Sequence, residues 1–379
     1  MSEYRMCIGC VMDTSDPNIS FDAHGTCNHC YLFRAAEALH PEAFILDRAK
    51  LDACVSDIKR RGKGREYDCI VGLSGGIDSS YLAYKAVEYG LRPLALHMDN
   101  GWDSVSSIRN IRRVVEHLKL DLVTDVLDWE TFSDLQVAFL RASVSDAEVP
   151  TDHAIAAVTF RAALKFNIPT ILSGTNIVCE ATLPYAWTYG VRDARYIRSV
   201  HALYGEKSLA SYPFYTRTDL LQYWYLHGMR TVKLLNAAPY NKREATEKLQ
   251  RACGWEEYGG KHEESIYTRF FQGYILPKKF NIDKRRAHFS CLILSGQLTR
   301  EEALETLKKP PYAAEQMDAD KHYVLRRFNM TEKEFAEIMA LSPRHYTEFN
   351  TYRTPHGVQK ITDRLQAWCG IGFHTHIDL

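Results

Sequence analysis

Asp68-Cys69-Ile70-Val71-Gly72-Leu73, followed at once by Ser74-Gly75-Gly76-Ile77-Asp78-Ser79-Ser80, is the stretch that decides how this chain folds. The first six residues have the length and apolar content of a buried strand. Ser79 to Tyr89 has helical spacing and stops at Gly90. Between them lies a strand, glycine turn, helix N-terminus arrangement. Gly75 and Gly76 let the main chain approach an anion closely, the hydroxyls of Ser74, Ser79 and Ser80 and the unpaired N–H groups donate, and the helix end adds its positive pole. That is a phosphate cradle. It is not of the Walker A type, because the Gly-Lys-Ser/Thr ending is absent, and it is not GxGxxG. The plainer alternative is a Gly-Gly turn in which Asp78 and Ser79 cap a helix.

Working outward, residues 93–98, 121–126 and 169–172 read as further strands, and 104–118 and 151–166 as helices. Strands alternating with helices at this rhythm predict an α/β, Rossmann-like parallel sheet with helices on both faces. Ligands of such sheets bind beyond the carboxyl ends of the strands. Asp99-Asn100-Gly101, after the second strand, and Gly174-Thr175-Asn176, after the fourth with Glu180 close behind, are therefore expected to converge on the cradle. Residues 47–61 read as a helix leading into Gly62-Lys63-Gly64, a plausible linker. Capping boxes at Thr299…Glu302 and Thr331…Glu334 mark a mainly helical last third. The expected divisions are a segment 1–45, an α/β domain 46–240 and a helical region 241–379.

The composition excludes several classes. The 379 residues, 46% hydrophobic, are ample for a sizeable core, and 47 Lys plus Arg balance 47 Asp plus Glu. With no global positive field, duplex nucleic acid is disfavoured as a partner. No run approaches the ~20 apolar residues of a membrane helix, and MSEYRMCIGC lacks a signal-peptide layout, so a cytoplasmic protein is expected. Of ten cysteines, Cys7, Cys10, Cys27 and Cys30 form two CxxC knuckles separated by sixteen residues. That spacing lets four thiolates surround one structural Zn²⁺ and leaves no open position for chemistry. His24 and His29 read as turn or surface residues. The other six cysteines read as small buried hydrophobes.

SGGIDSS resembles the pyrophosphate loop (PP-loop) of the N-type ATP pyrophosphatases, which include asparagine, GMP and NAD synthetases. Asp99-Asn100-Gly101 and Gly174-Thr175-Asn176 resemble their DNG and GTN segments. The resemblance implies ATP cleavage between the α and β phosphates, with Asp78 helping to hold Mg²⁺. Residues 259 to 305, the CxxCVMDTSDP segment and the run Tyr189 to Tyr212 are similar to the N-acetyl sugar amidotransferase family, of the lipopolysaccharide and pseudaminic-acid biosynthesis type. What this implies is conversion of an acetamido group on a bacterial surface sugar to an acetamidino group. The amide oxygen would be adenylated, and ammonia would then displace AMP. By the same resemblance Lys284 and Lys261 are candidate cations for the phosphates, and Glu264 would position the nucleophile or take its proton.

The ammonia has no evident source in the chain. An N-terminal nucleophile glutaminase would need Cys first, where the chain has Met1-Ser2, and Cys369 lacks a Gly-x-Cys-x-Gly elbow. The family resemblance implies a HisH-like glutaminase partner with a HisF-like barrel protein beside it. Tyr185, Trp187, Arg192, Asp193 and Arg195, with Glu180, are the expected sugar-binding group, suited to stacking on a ring and pairing with a diphosphate or carboxylate. Two other readings compete: a PP-loop tRNA-modifying enzyme, and a zinc-organised adaptor without turnover.

Overall fold

The computed structural model describes residues 3–258, 260 and 263–352. Its centre is a five-stranded, wholly parallel sheet of β1 (Cys69–Gly72), β2 (Pro93–Asp99), β3 (Leu122–Val126), β4 (Thr170–Leu172) and β5 (Arg230–Val232), in the order β3-β2-β1-β4-β5. Register is set by pairs such as Val71 with Ala95 and with Leu172. The four strands expected from sequence are present. The fifth is as short as β4 but only partly buried, and Arg-Thr-Val offers no apolar run to mark it.

Apolar runs form the inner strands because the sheet is covered on both faces. Ile70, Leu94, Leu96 and Ile171 belong to one core with Phe139, Ala154 and Val158. Their neighbours Cys69, Val71, Ala95 and Leu172 point the other way, into a second core with Leu82, Ala86, Ile111 and Leu249. The two-residue alternation of a strand thus feeds two separate cores. β3, at the edge, is largely exposed.

Strand order reverses at β1, which lies between β2 and β4, so the crevice beyond its carboxyl end opens where the Ser74–Ser80 loop sits. The carboxyl-terminal helices close over this end. Trp102, fully buried just after the Asn100-Gly101 turn, packs against Tyr267, Tyr323 and Phe328 from that region, and its indole donates to Gln136 at 2.7 Å. Both expected capping boxes are formed, at Thr299/Glu302 and Thr331/Glu334. The amino-terminal knuckles share the first core and are clasped by the late helices: Arg300 donates to the carbonyls of Cys7 and Cys10 at 2.9 and 3.0 Å, and Arg286 pairs with Asp13 at 3.0 Å. No helix among the described residues is long and apolar enough to cross a membrane.

Candidate active site

The turn from β1 into the helix Ile77–Glu88 needs its first glycine for shape. Gly75 has φ +80°, and a Cβ there would stand 2.5 Å from the carbonyl oxygen of Ser107. Its own carbonyl is turned out of the crevice, accepting from the Trp255 indole at 3.1 Å and the Asn110 amide at 3.4 Å. The cradle is tied internally as well. Ser74 Oγ lies 3.2 Å from Ser79 Oγ and accepts from the Gly76 N–H at 3.2 Å. Ser80 departs from expectation: its side chain is buried in the core, without a hydrogen-bond partner among the described residues, so its hydroxyl cannot reach a ligand. One helical residue beyond Ser79 is enough rotation to turn it inward.

Asp78 sits in the first helical turn, and its carboxylate accepts from the Tyr240 hydroxyl. Burial, with the Asp78 charge beside it, holds the Tyr240 phenol well above its ordinary value, so it stays a neutral donor. Glu264 arrives from the other end of the chain. Its Oε1 accepts from Ser74 Oγ at 3.2 Å and its Oε2 from the Tyr258 hydroxyl at 3.3 Å. Burial raises its pKa above the usual carboxylate range and nearby Asp78 adds to the rise. Tyr240, Tyr258 and Trp255 carry no motif in the sequence. Lys261 lies outside the described residues.

The two other loops do converge. Asn100 lines the crevice with its Oδ1 accepting from the Trp102 N–H at 3.1 Å, and one oxygen of the Asp99 carboxylate accepts from the Gly101 N–H at 2.8 Å within the turn. Gly174, Thr175 and Asn176 also line it. A Cβ at Gly174 would stand 3.7–3.8 Å from the main chain of Asp78 and Ser79, and Asn176 caps the short helix behind it through the Cys179 N–H at 3.0 Å.

The crevice widens into a cleft of ≈ 1980 Å³. The same cleft is lined by a group of which the sequence marks only Lys284 and Glu180. Lys284 Nζ lies 3.5 Å from Glu148, which also accepts from the Gln272 amide at 2.7 Å, with Asp146 and Asp152 adjoining. Those carboxylates hold the Lys284 ammonium against the pull of burial, so its pKa is raised. Burial, then like charge, pushes Asp152 up to about 8, and burial takes Asp146 to about 6. Asp152 faces the open cleft and is exposed to solvent there, with the Asp146 and Glu148 carboxylates close enough to oppose its charge. The spacing of acids in Ser145-Asp146-Ala147-Glu148-Val149-Pro150-Thr151-Asp152, just before and within a helix start, was the available signal.

Of the expected sugar-binding residues, Glu180, Tyr185 and Arg192 line the cleft. Trp187 does not: it is fully buried, its indole donating to the Ser15 carbonyl at 3.4 Å, and it serves to seat the amino-terminal segment. Arg195 is outside the cleft as well, stacked 4.6 Å over the Tyr352 ring in a shallow surface depression. Both follow from the helix Ala194–Tyr204 and the turn before it packing onto the core. Asp193 caps that helix through the Tyr196 N–H at 2.9 Å.

The knuckle sulfurs form a closed cluster. Cys7–Cys30 and Cys10–Cys27 are 3.6 Å apart and Cys27–Cys30 3.8 Å, close to the ~3.8 Å edge of a tetrahedron with ~2.3 Å Zn–S bonds. All four are buried, and the N–H groups of Gly9 and Cys27 donate to Cys7 Sγ at 3.3 and 3.2 Å, as thiolates require. His29 is neither ligand nor surface residue: it is buried with Nε2 2.7 Å from Asp16, and both line the cleft, so the knuckle forms part of the wall.

Residues 264–364 match the family model described as "LPS biosynthesis protein WbpG-like, C-terminal domain", and that part of the chain is similar to it. No curated protein matches the chain. Among solved structures, the NMN synthetase from Francisella tularensis is 12% identical, with 75% of this chain and 94% of that one covered at a TM-score of 0.37. The NH3-dependent NAD synthetase from Campylobacter jejuni subsp. jejuni NCTC 11168, in complex with the nitrate ion, is 13% identical, covering 74% and 95% at 0.30.

Proposed function

We propose that the chain is an ATP-dependent, ligase-type amidotransferase that converts an acetamido group of a bacterial surface sugar to an acetamidino group, releasing AMP and pyrophosphate. The observation that carries this is the meeting of the cradle with Glu264, the first residue of the WbpG-like region, at 3.2 Å from Ser74 Oγ. A nucleotide loop is thereby completed by the part of the chain that resembles a lipopolysaccharide-biosynthesis protein.

The chemistry divides along the cleft. The N–H groups and hydroxyls of Ser74 to Ser79 receive the departing pyrophosphate at the helix N-terminus. Asp78, a hard carboxylate held by Tyr240, is of the donor type Mg²⁺ takes and is the residue that would hold it; when bound, the ion neutralises phosphate charge. Attack of the amide oxygen on the α-phosphorus forms the O–P bond and breaks the bond to pyrophosphate, leaving an O-adenylyl imidate. Ammonia then adds to the imidate carbon, a proton is lost, and the C–O bond to AMP breaks. Glu264, with its raised pKa, is suited to take that proton. The Lys284, Glu148, Asp146 and Asp152 group, which lines the same cleft as Arg192 and Tyr185, is our candidate for holding the acceptor, in place of the phosphate role expected of Lys284. Zn²⁺ on Cys7, Cys10, Cys27 and Cys30 would supply folding stability. Ammonia comes from a separate HisH-like glutaminase, in company with a HisF-like barrel protein.

Mass spectrometry of the purified protein with ATP, Mg²⁺, ammonium and a panel of N-acetylated nucleotide sugars and nonulosonic acids tests the reading. A loss of about one mass unit from one sugar, as O is exchanged for NH, with one AMP and one pyrophosphate per product, is expected. AMP formation without a changed sugar, stimulated instead by tRNA, would overturn it.

A further inference from the structure

His97, near the end of β2, is a buried residue that the reaction above does not use. Its Nδ1 lies 3.0 Å from the carbonyl oxygen of Leu73, the residue before the cradle, and its Nε2 lies 3.1 Å from the carboxylate of Asp103. Both partners are acceptors. A neutral imidazole has one N–H and would set a lone pair against one of them, so both contacts are satisfied only when both nitrogens carry protons. Asp103 in turn bridges to Ser265 through the main chain, Ser104 N–H donates to the Glu264 carbonyl at 2.9 Å, and Ile266 N–H to the Trp102 carbonyl at 2.8 Å. The ring thus joins the residue before the cradle to the turn after β2, and that turn is hydrogen-bonded through its main chain to the start of the carboxyl-terminal region.

We propose that His97 is a doubly protonated positioning residue that clamps the cradle to the Asp103 turn and, through it, to the segment carrying Glu264, so that losing its proton loosens the cradle. The proposal rests on the reading of Ser74 to Ser79 as the nucleotide site. The charged groups around the ring are consistent with it. Asp103 faces it from the turn and Asp99 from the end of β2, while Glu264 of the carboxyl-terminal segment turns to Ser74 and Tyr258, and Asp78 of the following helix to Tyr240. Burial opposes the charge, but Asp103, the Leu73 carbonyl and Asp99 outweigh it, and the pKa is raised above 6.5. For a raised base, the stabilising contribution is complete below the ordinary value and is lost as pH climbs through the folded one.

The test reads His97 directly. Histidine-labelled protein is titrated by NMR, with His97→Gln identifying the resonance, and amide exchange of the Ser74–Gly76 segment is followed over the same pH range, corrected for intrinsic rates. His97 is expected to titrate above the ordinary imidazole value, and cradle exchange to speed up roughly tenfold or more across that titration, the scale of one charge-assisted hydrogen bond. In Asp103→Asn the titration should move down, with the cradle already fast at neutral pH. A wild-type His97 that titrates at or below the ordinary value overturns the proposal, as does cradle exchange indifferent to it. Mg-ATP binding is measured alongside. If exchange follows His97 while ATP does not bind, the clamp stands and the nucleotide reading falls.

Discussion

Gly75→Ala puts the cradle geometry to a quantitative test. Gly75 has φ +80°, and a Cβ there would lie 2.5, 2.7 and 2.9 Å from the O, Cα and C atoms of Ser107, all main-chain atoms of a packed helix that cannot swing aside. The left-handed conformation costs about 1–2 kcal/mol for alanine, and forcing a methyl into a filled site ~1–3 kcal/mol more. Gly64 separates the two, since it has φ +78° with nothing within 4 Å of its Cβ position. With ~2.1 cal/mol/K of unfolding entropy per residue, the 379-residue chain should lose about 1–3 °C in Tm for Gly64→Ala and about 3–6 °C for Gly75→Ala. Alternatively the cradle relieves the clash by moving, in which case Tm falls less and Mg-ATP affinity falls tenfold or more. Scanning calorimetry at matched rates and titration with Mg-ATP measure both. If Gly75→Ala matches Gly64→Ala in Tm and wild type in ATP affinity, the close approach of the loop to Ser107 is wrong.

Tyr240→Phe removes the hydroxyl that donates to Asp78; fold and Tm should hold, while Mg-ATP affinity falls roughly tenfold, the scale of a hydrogen bond to a charged group. Asp152 is raised from 3.8 to about 8, so its ionisation in the folded state costs stability as pH rises between those values. Urea unfolding of Asp152→Asn should therefore show a gain over wild type that is absent near pH 4, grows with pH and levels off above about pH 8; a pH-independent difference would contradict the raised pKa of that carboxyl. Elemental analysis should find one zinc per chain, and strong chelation or Cys27→Ser should speed amide exchange both in the knuckles and in the helices Arg285–Leu294 and Arg300–Leu307, because Arg286, Ser290 and Arg300 hold knuckle backbone groups. Trp187→Phe should leave acceptor binding unchanged and lower Tm, as befits a buried ring that seats the amino-terminal segment.

How much of this was legible beforehand depends on the range over which each feature is determined. The four apolar strands, the helix starting at the cradle, the two capping boxes and the CxxC knuckles are read within a few residues, because apolar periodicity, glycine freedom, side-chain caps and ligand spacing are local properties of the chain. Ser80 and Trp187 were misplaced for the opposite reason: residue type suits a hydroxyl or a ring to a ligand, but only packing decides which way it points. β5 is no shorter than β4, but its Arg-Thr-Val is only partly buried and carries no apolar run, so its place in the sheet comes from pairing with β4. The site itself is assembled across distances no local signal spans. Ser74 meets Glu264 from 190 residues away, Asp78 meets Tyr240 from 162, and Glu148 meets Lys284 from 136. The sequence alone determined which segments could cradle a phosphate or hold a metal. Which carboxylates, phenols and cations face one another there was decided only by the tertiary structure, since burial and neighbouring charge exist only once the chain has closed on itself.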